Sequence, residues 1–173
     1  MSIKQNTMTP NKLEKSAVDL ILPRLQDEYN AFYFYRSASN FLQNMGYVFA
    51  AEYFAGESTD ELSHAKGLED YLLSWNVTPN LPDIDKPVLK FDGLVDVINQ
   101  SYEIEYALYE AYEKTAREMF TTDLCSFAIM QKYLAIQLAS IAEYSDFLNQ
   151  VALIDDKDKL SVLILEKRLF EKG

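Results

Sequence analysis

Apolar side chains recur at spacings of three, four and seven along four long stretches of the chain, the period of helices that bury one face. In the first stretch, from about Asn11 to Leu42, the residues Leu25, Glu28, Tyr29, Phe32 and Tyr35 share a face. In the second, from about Gly46 to Trp75, Phe54, Glu57, Glu61, His64, Leu68 and Tyr71 do so. The third, from about Gly93 to Phe120, aligns Ile98, Tyr102, Glu105, Tyr109 and Tyr112. The fourth, from about Asp123 to Val151, aligns Met130, Tyr133, Gln137, Ile141 and Tyr144. A shorter fifth helix is predicted from about Asp158 to Phe170. Thr9 and Pro10 suit the cap and first position of the first helix, and Thr121 or Thr122 the cap of the fourth. Pro23 lies inside the first stretch and removes a backbone donor, so a kink or a late start is expected there.

The connection from Asn76 to Asp92 carries Pro79, Pro82 and Pro87 and is long for a helix-to-helix link. A helix of about 28 residues is about 42 Å long, and about 14 extended residues span about 48 Å. The connection can therefore run the length of the bundle and set the third helix parallel to the second. That predicts an all-α four-helix bundle with one long crossover, not an up-down-up-down bundle.

Composition supports this reading. The 173 residues are enough for one domain with a substantial core, and 49% are hydrophobic, against disorder. Five Gly and five Pro are the economy of an all-helical chain. A formal charge of −11 makes nucleic acid a poor partner and cations a plausible one. The single cysteine, Cys125, excludes an internal disulfide and fits a reducing compartment, so a cytoplasmic location is expected. "MSIKQNTMTP" does not read as a signal peptide, and no apolar run is expected to span a bilayer.

The chemistry lies where the apolar stripes are interrupted. Each long helix carries a polar group near the middle of its stripe: Glu28, Glu61 with His64, Glu105, and Gln137. Taken singly, each has an ordinary reading, such as a hydrogen-bonded core histidine or a glutamate at a solvated edge. Taken together, one polar group per helix at matching depth favours metal. Three buried carboxylates repel each other and are expensive to ionise. Two divalent cations would oppose −3 with +4. Carboxylates with one imidazole suit iron, manganese or zinc, and the Glu61–His64 spacing puts both ligands on one helix face.

The segments "DEYNAFYFY", "DELSHAKGLEDYL", "YEIEYALYE" and "QKYLAIQLASIAEY" together resemble a ferritin over about Leu22 to Phe170. The resemblance implies one ferritin-like domain over residues 1–173, with the bundle at about 11–151 and the C-terminal helix at about 158–170. It implies a di-iron ferroxidase centre in each subunit. Glu28 and His64 would be terminal ligands of one iron, Glu61 would bridge, and Glu105 would bind the second. Gln137 would hydrogen-bond bound water or dioxygen species. Tyr35 matches the tyrosine beside such centres and either donates an electron or orients a ligand. The partners implied are Fe(II), dioxygen or peroxide, and copies of the same chain in a cage of twenty-four subunits.

The place of a second ExxH motif reads "QLAS", Gln137 to Ser140, and the chain has one histidine. The resemblance is therefore to non-haem ferritins, bacterial or heavy-chain-like, with iron and no haem. Ile136, Ala139 and Ser140 stand where a third iron site would have glutamates, leaving Asp60 as a possible accessory ligand. Ser63 and Lys66 weaken mineral nucleation, and Phe127 with Met130 replaces the acids of an entry pore. The alternatives are a rubrerythrin-like di-metal oxidase or peroxidase, and a metal-binding cage with weak or no catalysis.

Overall fold

The helix ends show how the chain sorts itself into elements. The computed structural model describes residues 13–87 and 90–171, and among them are five helices and no strand. They are α1 Lys15–Met45, α2 Val48–Ser74, α3 Leu94–Met119, α4 Leu124–Val151 and α5 Lys159–Phe170. Gly46 ends α1 in the left-handed region at φ 90°, which glycine adopts without a Cβ penalty. The amide of Tyr47 then returns to the Leu42 carbonyl and closes the turn to α2. Asp123 caps α4 by accepting from the amides of Cys125 and Ser126, and Asp158 caps α5 by accepting from those of Leu160 and Ser161.

Several boundary expectations change. Glu14 and not Asn11 adjoins the start of α1, and the helix runs through Pro23 without interruption. Thr9 and Pro10 lie outside the described residues. The cap of α4 is Asp123, not Thr121 or Thr122, because its carboxylate reaches two amides at once. Along α3 the buried row runs through Ser101, Glu105, Leu108 and Tyr112. Tyr102 and Tyr109 are half-exposed and form an outer aromatic ladder with Tyr106.

The long connection behaves as its length predicts. Gln26 donates to the carbonyl of Asp83, and Asn30 exchanges hydrogen bonds with Asp85. Phe91 then packs edge-on against Phe34 and tilted against Phe41. The loop thus climbs along α1 from Gln26 to Phe41, which delivers α3 parallel to α2 and antiparallel to α1. The helices pack as the pairs α1 with α2 and α3 with α4, and α5 crosses one end.

The apolar core falls into two clusters. One holds Ala31, Phe34, Leu42, Phe54, Val97, Ile98, Phe147 and Phe170 among others. The other holds Ile21, Leu25, Ala65, Leu68, Ala116, Met119 and Met130 among others. Met130 is fully buried there, so it does not line a pore as expected, whereas Phe127 is half-buried against Phe120 at 5.1 Å.

Helix α4 corrects a further expectation. With 28 residues it is long and apolar enough, by length and composition, to cross a membrane. Only 22% of its most apolar window is buried within the chain, and Leu124 and Leu138 stand outward. An apolar helix so little covered needs something else against it.

The start of α2 has an unusual partner. Tyr47 precedes the helix and supplies no side-chain cap. Glu166 of α5 supplies one instead, accepting from the amides of Phe49 at 2.8 Å and Ala50 at 3.0 Å while almost wholly buried. A carboxylate at a helix N-terminus is favoured both by the free amides and by the macrodipole. Val162, Leu165 and Phe170 bury the rest of that face. Glu166→Ala is expected to cost about 2 kcal/mol in urea unfolding, since it leaves two helix-end donors unpaired, one of them buried. Leu160→Ala, at an exposed position of the same helix, serves as the control and should change stability by less than about 0.5 kcal/mol.

Candidate metal centre

The polar layer sits between the two apolar clusters. On α1, Glu28 lies between Leu25 and Ala31; on α2, Glu61 lies between Phe54 and Ala65. On α3, Glu105 lies between Ile98 and Tyr112, and on α4, Gln137 lies between Tyr133 and Tyr144. Glu28, Glu105 and Gln137 have no exposed surface and Glu61 very little. Each long helix therefore turns a carboxylate or carboxamide inward with apolar residues on either side of it.

Glu28, Glu61 and His64 come together as one group, each offering a ligand atom within 4.8 Å of the others. His64 Nδ1 lies 3.1 Å from Glu61 Oε2 and 3.4 Å from Glu28 Oε2. Glu105 stands beside this trio: its charge acts on Glu61, and those of Glu28 and His64 act on it. Several buried atoms have no hydrogen-bond partner: Glu28 Oε2, Glu105 Oε2, and both amide atoms of Gln137. Orphaned buried oxygens are costly, and a cluster of them with an imidazole is a donor set for a cation. Asp60 is exposed and outside the group.

The proton equilibria describe the same strain. Burial, reinforced by Glu28 and Glu105, pushes the Glu61 carboxyl well above the usual range although the His64 hydrogen bond opposes it. Burial also raises Glu105 to about 7 against the hydrogen bond from Tyr35. For His64 burial works against the charge, but the contacts with Glu28 and Glu61 outweigh it and raise the group to about 10. Without a cation, the site thus balances itself with protons.

Tyrosines form the next shell, and their placement is regular. Tyr35 on α1 donates to Glu105 on α3, and Tyr112 on α3 donates to Glu28 on α1. Both Glu–Tyr pairs have the same spacing in sequence, Glu28 with Tyr35 and Glu105 with Tyr112, on antiparallel helices. Tyr112 stacks on Tyr133 at 5.0 Å, and Tyr133 donates to the His64 carbonyl at 2.6 Å. Tyr35 stacks on Tyr144 at 6.4 Å, and Tyr144 donates to Glu57 at 3.2 Å.

Tyr112, Tyr133, Tyr144 and Glu57 all belong to the stripes read from sequence but were assigned no role there. The repeated Glu–Tyr spacing was the available signal for Tyr112. For Glu57, one turn before Glu61, it was a second carboxylate on the same face.

Glu57 gives a pH prediction. Burial and then the nearby Glu143 raise it to about 7, against an ordinary 4.5. Between those values the folded chain binds more protons than the unfolded one, so rising pH lowers stability across the interval and the loss is complete above it. Glu57→Gln should therefore stabilise the metal-free protein at pH 8 by about 1–3 kcal/mol and hardly change it at pH 5, measured by urea unfolding at both.

Gly67 gives a packing prediction. A Cβ there would lie 2.6 Å from the Tyr133 hydroxyl, with the next ring atom at 3.9 Å. Gly67→Ala should lower the melting temperature despite a helix-propensity gain of about 1 kcal/mol, and should raise it in a Tyr133→Phe background, where the obstructing atom is gone.

Comparison with known proteins agrees with this architecture. The family description "Ferritin-like domain" matches residues 19–154. A bacterial non-haem ferritin of Campylobacter jejuni is 25% identical over 145 residues, covering 83% of this chain and 87% of its own. Among solved structures, an open-pore ferritin from the hyperthermophilic archaeon Archaeoglobus fulgidus superposes with a TM-score of 0.87 at 20% identity, over 94% of this chain and all of its own. A humanized archaeal ferritin superposes at 0.86 with 21% identity, over 94% and 98%. With a family model matched over most of its length and five helices around a buried set of carboxylates, the chain belongs to the ferritin family.

Proposed function

We propose that this chain is an iron-storage and iron-detoxification subunit that oxidises Fe(II) to Fe(III) at a paired-metal ferroxidase centre. The observation that carries the reading is the buried layer of three carboxylates and one imidazole with oxygens left unpaired at the waist of the bundle. Two Fe(II) ions supply +4 against −3. In this reading Glu28 and His64 hold one ion, Glu61 bridges, and Glu105 holds the other. Gln137 presents an unpaired amide to bound water or oxidant, and exposed Asp60 is at most an accessory ligand for an arriving ion. Hard carboxylate oxygens stabilise Fe(III) over Fe(II) and so favour oxidation by dioxygen or peroxide.

The ferric product then leaves the site and is held as hydrous oxide inside a closed assembly of copies, twenty-four in this reading. The uncovered apolar side of α4 supports self-association, because burial against another copy removes it from water. The exposed lone cysteine suits the reducing cytoplasm. The absence of a second ExxH motif weighs against a rubrerythrin-like oxidase, and the complete ligand set weighs against an inert cage.

Anaerobic titration should show two Fe(II) ions bound per chain, and oxygen should then give a fast rise in ferric absorbance. Glu61→Ala and His64→Ala should each slow that phase by at least about a hundredfold, as loss of a metal ligand does. Parent-like rates in both variants would sink the assignment.

A further inference from the structure

Helices α1 and α3 meet along a seam that is open on both sides of one residue. A cavity of about 290 Å³ lies between them toward Ala31 and Leu108, and another of about 200 Å³ toward Leu20 and Lys114. Arg24 lines both. Its side chain is 14% exposed. Nη1 donates to the Ala111 carbonyl at 2.7 Å and to the Thr115 hydroxyl at 3.1 Å, both on α3. Nη2 pairs with Asp27 on its own helix at 2.7 Å. A planar guanidinium with partners on two helices has little freedom left.

The same guanidinium lies over the ring of Tyr112, 6.0 Å from its centroid. Tyr133 stacks on that ring at 5.0 Å. Tyr112 is thus held by a cation and an aromatic neighbour, and its hydroxyl donates to Glu28 Oε1. With Oε1 engaged, Oε2 is the oxygen left over. It has no hydrogen-bond partner and lies 3.4 Å from His64 Nδ1.

The crossed Glu–Tyr contact on the other side is built differently. Tyr35, which donates to Glu105 Oε1, is fully buried against Phe54 at 6.0 Å and Tyr144 at 6.4 Å. Among the described residues no cation lies over its ring. One contact therefore depends on a tie between helices, and the other on core packing.

Resting on the paired-metal reading above, we propose that Arg24 is a positioning residue for the ion held by Glu28 and His64. It binds no metal itself. By tying α1 to α3 across the seam it keeps the Tyr112 phenol on Glu28 Oε1, and that contact aims Oε2 at the ion. The pairing with Asp27 cancels most of the guanidinium's field at the metal, so what Arg24 supplies there is orientation. Outer-shell contacts of this kind are worth about 10–100-fold in metal affinity. A residue that only stiffened the bundle would act on both ions alike, whereas Arg24 acts on one.

Co(II) is the probe, because its visible absorption reports coordination geometry as well as occupancy. The assembled parent chain, Arg24→Met, Tyr112→Phe and the double variant are each titrated. The parent should bind two Co(II) per chain. Arg24→Met should weaken one of them by about tenfold, with a changed spectrum for that ion, and leave the other within about twofold. Tyr112→Phe should do the same, and the double variant should lose no more than either single one, because both act through one contact. Arg24→Gln, which retains an amide donor for the Ala111 carbonyl, takes the place of Arg24→Met if that variant does not fold, with the same split expected.

Equal weakening of both ions would overturn the assignment. So would unchanged binding in the Arg24 variant, or a further tenfold loss in the double variant. A parent that binds two Co(II) but oxidises no Fe(II) removes the ferroxidase reading and leaves Arg24 in its role. A parent that takes up fewer than two ions removes the paired site and the role with it.

Discussion

The constraint that organises this molecule is the electrostatic cost of placing three carboxylates in the middle of a helical bundle. Glu28, Glu61 and Glu105 are withdrawn from water almost completely, and His64, Tyr35 and Tyr112 face them. An apolar core would have been cheaper to build at that level. Instead the hydrophobic packing is split in two, with one cluster toward the α1–α2 turn and the other toward the opposite end. The apolar clusters hold the helices in register, and that register is what forces the charges together.

The surrounding elements serve the same register. The long connection is tied to α1 by Gln26 and Asn30 and anchored by Phe91, so α3 arrives with Glu105 level with Glu28. Tyr133 ties α4 to the backbone of α2 at the histidine, in a space that only Gly67 leaves open. Glu166 ties α5 to the first turn of α2. Each contact fixes one helix along its axis, a degree of freedom that hydrophobic packing alone leaves soft.

Much of this was legible in the sequence, and the misses have physical reasons. Helix identity, order and the four inward polar groups follow from periodicity, because burial of one face imposes it. The buried row of α3 was misjudged because Tyr102, Tyr106, Tyr109 and Tyr112 satisfy two overlapping stripes, and tyrosine is at home on either side of a surface. The cap of α4 was placed on threonine because local preference does not say which oxygen reaches two amides. The expectation that no apolar run could span a bilayer misses α4 because its three charged residues, Lys132, Glu143 and Asp146, are spread along it and break up any continuous apolar run. The Glu166 cap joins residues far apart in the chain, and local pattern carries no information about such a pair, whereas the crossed Glu–Tyr contacts left a trace only in their repeated spacing.

One feature of the composition becomes useful once it is placed in space. The chain holds a single imidazole, and it sits at the mouth of the buried layer with about a fifth of its side chain open to solvent. Any signal specific to that ring, such as a nuclear resonance or a reaction with an acylating reagent, therefore reports on this one location without interference from elsewhere in the polypeptide. Nature has in effect installed a solitary beacon at the doorway, so occupancy of the interior can be followed in the intact assembly without adding a label.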